Sequence, residues 1–476
     1  MNDRQKTVIK YFSNKDELYN MSGMKPDISI DSATLQRLSK SVVVACPDAR
    51  PPAYELVHGL ARHELLLNFA TSYYHKPGLI DSLLPKLGNR GKSLHRQLQR
   101  RSIDGIDDGL VHRRIGYDLA IRLENRLATL GPSLRAKLVR LRTRQFDRQL
   151  AGIMPKLARQ GARAVVFFSD VGSELAMAEA RKAGLYVILS MVTGHMDEEI
   201  EILERERQRV PDFFPAYLGD GSLDMAELGW LHERRRRDLA QADLVLVPSR
   251  HIASLVRDRS GVPPSRLRVI PYAADPARFQ PRSGEGKVHP KICRFLFAGG
   301  ITQRKGLSDL LAAWNIVKRP GWTLSLAGEA PESARRLIPA DDTSLKLLGR
   351  ISYGDMPKVM ADHDVFVFPS LFEGSAVVCY EALAAGLAVI TTPQAGSVVN
   401  DGEEGLLVPA AEPRKLARAM KSLGEDQELR RDMGESARLR ALDFTWDEYR
   451  RRTIEAIGEA LYMPFRLNVG KKDGPA

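Results

Sequence analysis

The sequence predicts an α/β protein made of two doubly wound parallel-sheet domains facing each other across a cleft. Three observations predict it: short β-rich runs alternate with helical patterns, the alternation falls into two blocks, and one strand-to-turn pattern occurs once in each block. In the first block strands are expected at Val42 to Ala45, Leu65 to Phe69, Ala164 to Phe168, Tyr186 to Leu189, Asp243 to Val247 and Leu267 to Ile270. In the second they are expected at Arg294 to Ala298, Thr323 to Ala327, Leu345 to Leu348, Val365 to Phe368 and Leu387 to Thr391. Helical patterns such as Glu174 to Lys182, Leu307 to Val317 and Ser375 to Ala385 fall between them.

The repeated pattern is an Asp, four apolar residues, then Pro-Ser, at 243–249 and at 364–370. Each copy reads as a buried parallel strand whose end turns into a helix. The residues between the blocks, Asp275 to Pro290, carry Pro276, Pro281, Pro290, Gly284 and Gly286 among few apolar residues, a linker composition. The expected division is an extension over 1–40, a first domain over 41–275, a linker over 276–290, a second domain over 291–442 and a terminal segment over 443–476.

Composition removes several function classes. The chain has 476 residues, and its three cysteines, Cys46, Cys293 and Cys379, are too far apart for a C-x-x-C pair or a cysteine-based zinc site. A reducing, cytoplasmic setting is expected, with no membrane-spanning run and no signal-peptide core in the first 40 residues. The formal charge is +12, and residues 86–148 alone hold 16 Lys or Arg against 6 Asp or Glu. One basic segment in an otherwise near-neutral chain points to a patch for a single anionic partner or surface. Within it Leu134, Leu138 and Leu141 recur at helical spacing, with Arg135, Lys137, Arg140, Arg142 and Arg144 mostly off that stripe. The same pattern also describes an ordinary solvated helix face. Nucleic acid is not expected, because the segment lacks the interleaved aromatics of a single-strand platform.

Two motifs carry chemistry. Arg294 to Gly306 runs from a strand into a turn holding Gly299, Gly300, Arg304 and Lys305, where backbone N–H groups approach a phosphate and a cation neutralises it. The spacing is not that of a P-loop. After the second Pro-Ser, Glu373 stands at a strand-to-helix turn, with Glu381 two helical turns further on. The helix N-terminus at Ser375, Ala376 and Val377 is suited to a phosphate, and Glu381 to a ribose diol. No D-x-D pair placed for a metal-bound diphosphate is present, so no metal and no further cofactor is expected.

Taken in order, these motifs resemble glycosyltransferase family 4, the retaining nucleotide-sugar transferases with the GT-B fold. The likeness spans roughly Lys291 to Met420 and includes Lys305-Gly306, the Glu373/Glu381 pair, the strand entry at Gly386 and Asp401-Gly402 to Pro409. The resemblance implies two Rossmann-like domains, an acceptor-binding first and a donor-binding second. It implies that Lys305 binds the donor diphosphate, Glu373 the sugar hydroxyls and Glu381 the ribose, with Gly349, Arg350 and Ile351 flanking the base. His195, after the strand at 186–191, is similar to the family's cleft histidine and is expected to touch sugar or phosphate. Phe444-Thr-Trp446 and the helix after it resemble the segment that crosses back to the first domain.

Two positions depart from the family: Gly300 stands where an Arg is usual, and Ser375-Ala376 where Phe-Gly is usual. Arg304 is the expected substitute cation, and Arg50 the expected phosphate contact from the first domain, whose loop lacks the usual Gly-Gly. The expected activity is metal-independent hexosyl transfer from a nucleoside diphosphate sugar to a glycan, lipid-linked sugar or lipid, in polysaccharide biosynthesis, with retention. Arg50, Arg135, Arg140 and Arg144 are placed on the acceptor or anionic-membrane side. A nucleotide-sugar epimerase of the same architecture, or a non-catalytic binding protein, are the alternative readings.

Overall fold

The computed structural model describes residues 38–75, 78–99, 101–103, 105–113, 132–217, 225–281 and 291–462. The expected extension, most of the linker and the C-terminal tail lie outside the described residues. The first sheet contains β1 (Val42–Ala45), β2 (Leu66–Thr71), β3 (Val111–Arg113), β4 (Ala164–Phe168), β5 (Tyr186–Ser190), β6 (Leu244–Val247) and β7 (Leu267–Val269) in the order 3-2-1-4-5-6-7. The second contains β8 (Cys293–Ala298), β9 (Trp322–Ala327), β10 (Leu345–Gly349), β11 (Val365–Phe368), β12 (Ala388–Thr391) and β13 (Gly405–Leu407) in the order 10-9-8-11-12-13. All pairings are parallel; Val44 sits between Phe69 and Val166, and Phe366 between Leu296 and Val389. Strand order reverses between β1 and β4 and again between β8 and β11, which is where such sheets open a crevice at their carboxyl ends.

The helices used below are α1 (Pro51–Arg62), α2 (Leu79–Leu83), α3 (Gly88–Gln99), α4 (Pro132–Arg159), α5 (Ala176–Lys182), α6 (Met196–Arg209), α7 (Met225–Gln241), α8 (Arg250–Ser260), α9 (Leu307–Val317), α10 (Val377–Ala384) and α11 (Trp446–Tyr462). Helix α11 returns to the first domain, where the Tyr449 hydroxyl donates to the Pro52 carbonyl at 3.2 Å and Arg450 pairs with Glu55 on α1. β1, β6, β11 and β12 are wholly buried, as expected of parallel strands covered by helices on both faces. The three-residue edge strands β3 and β13 are additions to the sequence reading; each buries only one residue fully. Helix α10 starts at Val377, two residues later than its apolar pattern suggests.

The repeated Asp-apolar-Pro-Ser pattern performs one job twice. Asp243 accepts the Val187 N–H of β5 at 2.9 Å, and Asp364 accepts the Arg294 N–H of β8 at 2.8 Å, so each ties its strand to a neighbour's start. The Ser hydroxyls then reach the cleft: Ser249 donates to the Gly374 carbonyl at 2.9 Å across the domains, and Ser370 donates to the Arg304 carbonyl at 3.2 Å.

The predicted amphipathic basic helix requires correction. Helix α4 forms, but Leu141 is 64% exposed; the stripe that packs inward is Phe146, Leu150, Met154 and Leu157. The basic residues face neighbours as well as solvent: Arg140 lies 5.5 Å from the Trp230 ring of α7, and Arg144 pairs with Glu174 at 3.3 Å. Helix α4 packs against α5, and the Arg144 side chain remains 52% exposed. The Arg135 side chain lies outside the described residues.

Candidate active site

The glycine turn leaves β8 and crosses the carboxyl end of the second sheet. Gly306 has φ of +78°, and a Cβ there would collide with the Pro369 carbonyl, so the turn rests directly on the second Pro-Ser. That seating brings Lys305 to Glu373: its ammonium contacts the Glu373 carboxylate, and both side chains are nearly buried. Ser370 also donates to Glu373 at 3.2 Å. Burial, reinforced by the nearby Arg304 guanidinium, pushes Lys305 well below the usual lysine range, and burial likewise lowers Arg304. An anionic phosphate would oppose that shift.

Helix α10 points its start at the same place. The Ala376 N–H is committed to the Ala395 carbonyl at 2.9 Å, and the Ser375 hydroxyl turns inward to Gly396 at 2.7 Å and Tyr380 at 3.0 Å. Of the three predicted phosphate donors, Ala376 is therefore taken; among the described residues, the N–H groups of Ser375, Val377 and Val378 have no backbone partner. Gly299 and Gly300 line the other side; Gly300 is exposed, and a Cβ there would meet nothing closer than the Thr302 methyl at 4.0 Å.

Glu381 lies one turn deeper on α10, and its carboxylate accepts no hydrogen bond among the described residues. Burial raises it to about 7, against the opposing charge of Arg278. Arg278 in turn stacks 3.5 Å from the Tyr353 ring centroid and donates to the Tyr353 carbonyl. Tyr353 follows Gly349, Arg350 and Ile351, and the Gly349 carbonyl accepts the Gly328 N–H at 2.8 Å, holding this loop beside the end of β9. A buried carboxylate beside a stacked aromatic ring suits a ribose diol next to a base.

The first domain supplies a different set from the one expected. His195 is fully buried: its Nδ1 accepts the Asp197 N–H at 3.2 Å, capping α6, and its Nε2 is 2.8 Å from the Ser260 hydroxyl. Accepting at Nδ1 places the proton on Nε2, and burial lowers the ring's affinity for a second one. The ring anchors the loop before α6. That loop does reach the second domain, with Gly194 packed against the Phe372 ring and the Val192 carbonyl against Gly374. Arg50 at the end of β1 pairs with Asp48 at 2.7 Å.

Sequence reasoning missed Asp170, Glu199 and Arg235. Asp170, in the turn after β4, has φ of +69°, a conformation uncommon outside glycine, and its carboxylate pairs with Arg235 at 3.2 Å. Arg235 also reaches Glu199 at 3.2 Å, and His232 bonds the same Glu199 oxygen at 3.0 Å. Only the strand end before Asp170 was a legible signal. Among the described residues no group of three or more His, Cys, Asp or Glu side chains is arranged to hold a metal ion.

These motifs meet at the topological switch point of the second sheet, and the comparisons concentrate on the same region. Residues 293–426 match the family described as Glycosyl transferases group 1. The fold is GT-B. The chain is similar to a D-inositol 3-phosphate glycosyltransferase of Paenarthrobacter aurescens, 29% identical over 259 residues, covering 49% of this chain and 63% of that one. It is also 28% identical to an MMP alpha-(1->4)-mannosyltransferase of Mycolicibacterium hassiacum over 48% of this chain and 57% of that one. The matched part thus spans about three fifths of these relatives. Among solved structures, sucrose-phosphate synthase from Thermosynechococcus elongatus superposes over 88% of this chain and 98% of its own with a TM-score of 0.60 at 17% identity. Anabaena Alr3699/HepE, crystallised with UDP and glucose, gives 0.54 at 15% identity over 88% of this chain and 99% of its own. GT-B architecture with a group 1 match over the second domain agrees with the resemblance that the motifs carry.

Proposed function

We propose that this protein is a retaining glycosyltransferase that moves a hexosyl group from a nucleoside diphosphate sugar to an acceptor hydroxyl. The observation that carries the reading is the convergence of Lys305, Glu373 and the α10 N-terminus at the carboxyl end of the second sheet. Departure of a nucleoside diphosphate requires its developing negative charge to be stabilised, and Lys305, Arg304 and the Val377 and Val378 N–H groups are aimed to do so. Glu373 is the counterion of Lys305 until the donor arrives; it then hydrogen-bonds the sugar, while Glu381 takes the ribose diol. No protein group needs to form a covalent intermediate in this scheme. Incubation with labelled UDP- and GDP-sugars and acceptor-rich lipid and glycan extracts, followed by NMR of the product, tests the reading: an α-linked product from an α-linked donor supports it. Nucleotide-sugar conversion without an acceptor, or an inverted product, contradicts it.

Gly300 sets up a gain-of-function test. Because its position is open and its φ is not restricted to glycine, Gly300→Arg is expected to add a third diphosphate cation beside Lys305 and Arg304 and tighten nucleoside diphosphate binding about tenfold, the value of one charge-assisted hydrogen bond. Calorimetry of the variant checks it.

The acceptor side is proposed to sit on an anionic membrane. Residues 82–101 contain six Lys or Arg and no Asp or Glu. Around α2 and α3, Leu83 is 57% and Leu87 70% exposed, with Lys86, Lys92 and Arg96 also exposed. Apolar side chains among basic ones fit a lipid surface, each cation contributing about 1 kcal/mol near anionic headgroups. This segment leaves the carboxyl end of β2, the cleft side of the first sheet. Sedimentation with anionic vesicles is expected, weakened by salt and by Leu83→Ser with Leu87→Ser; equal binding to oligonucleotides would remove the assignment.

A further inference from the structure

The cation turn does not stand on the second domain alone. Gln303, fully buried, accepts the Ser308 N–H on its Oε1 at 2.9 Å, fixing the turn to the start of α9. Its amide nitrogen then donates across the cleft to Glu206 of α6 at 2.6 Å. Next in sequence, the Arg304 N–H donates to the Tyr217 carbonyl of the first domain at 3.2 Å. Glu206 is fully buried and shared: Arg209, one turn further along α6, bonds it at 3.0 and 2.7 Å and grips Asp309 of α9 in a two-pronged pair at 2.8 and 2.9 Å. Glu206 and Gln303 also have partners within their own domains, Arg209 and Ser308, but the Asp309–Arg209 pair and the Gln303–Glu206 bond form only when the domains meet.

We propose that the Glu206–Arg209–Asp309–Gln303 network is a latch that sets the 302–306 turn, so that Arg304 and Lys305 take their working positions only in the closed protein. Such a network contributes little net affinity, because desolvating its charges offsets their attraction; its value is geometric, since any other register leaves a buried charge unpaired. None of the four residues touches donor or acceptor in this scheme, so all are positioning residues. Nucleoside contacts through Glu381 lie wholly within the second domain and do not depend on the latch. Loss of the latch therefore slows turnover while leaving donor capture largely intact.

The inference rests on the donor-site reading for its kinetic arm and not for its structural one. The test uses the full chain carrying Arg209→Ala, Asp309→Ala, both together, and Arg209→Lys. Small-angle scattering of the two alanine variants is expected to show a larger radius of gyration than wild type at unchanged thermal melting of each domain. Their kcat is expected to fall about 100-fold, the scale of a misplaced catalytic group, with donor KM changed much less. The double variant should be no worse than either single one, and Arg209→Lys should recover most of the loss. Scattering profiles identical to wild type, or expanded variants with wild-type kcat, overturn the latch. If the wild-type protein transfers no sugar, the functional reading fails, and the scattering comparison alone then decides the latch.

Discussion

Lys305→Ala is expected to lower kcat/KM by about 100- to 1000-fold, the usual loss when one preorganised donor to a developing anion is removed from a water-poor site. The magnitude follows from its surroundings. Its ammonium is nearly buried, its turn is pinned on Pro369 by Gly306, and Lys305 is the one cation paired with Glu373 among the described residues. Removal of the ammonium leaves Glu373 unpaired beside the incoming phosphate, so repulsion is added to the lost attraction. Arg304 should not compensate, since its backbone is held at both ends, by Tyr217 and by Leu371. Steady-state kinetics with the preferred donor measure the effect, and Lys305→Arg separates charge from geometry: a partial rescue of less than tenfold is expected, because a guanidinium does not fit the ammonium's place.

Glu381→Ala is expected to weaken nucleotide binding by roughly 10- to 100-fold, the worth of hydrogen bonds to a charged acceptor of about 1.5–3 kcal/mol. The carboxylate carries a pH signature as well. Burial holds it near 7, and ribose hydroxyls donate to the ionised form. Nucleotide affinity should therefore rise as pH increases through about 7 and level off above it. Glu381→Gln should bind weakly with no such rise. A pH-independent wild-type affinity, or a rise that survives in Glu381→Gln, would show that another group governs binding.

The donor half of the site was legible in the sequence because its parts are local. Lys305 and Gly306 lie in the turn after β8, and Glu373 and Glu381 share one turn and helix, so each pair was legible from its own spacing, while the meeting of Lys305 with Glu373 across 68 residues was implied by the resemblance. The interdomain half was not legible. Gln303 meets Glu206 across 97 residues, and His195 turns to Ser260 across 65, and no local pattern says which way such side chains point. Periodicity similarly identified helix α4 but not its buried face, because Trp230 and Glu174, which engage Arg140 and Arg144, come from other elements. Both sheets were legible through their apolar runs, apart from β3 and β13, which are only three residues long.

The central claim is that the carboxyl end of the second sheet binds a nucleoside diphosphate through Lys305 and Glu381. Calorimetric titration of UDP, GDP and ADP into the wild-type protein, Lys305→Ala and Glu381→Ala tests it most directly. One nucleotide should bind the wild type in preference to the others, with both variants at least tenfold weaker. No binding of any nucleoside diphosphate, or equal affinity in all three proteins, would contradict it.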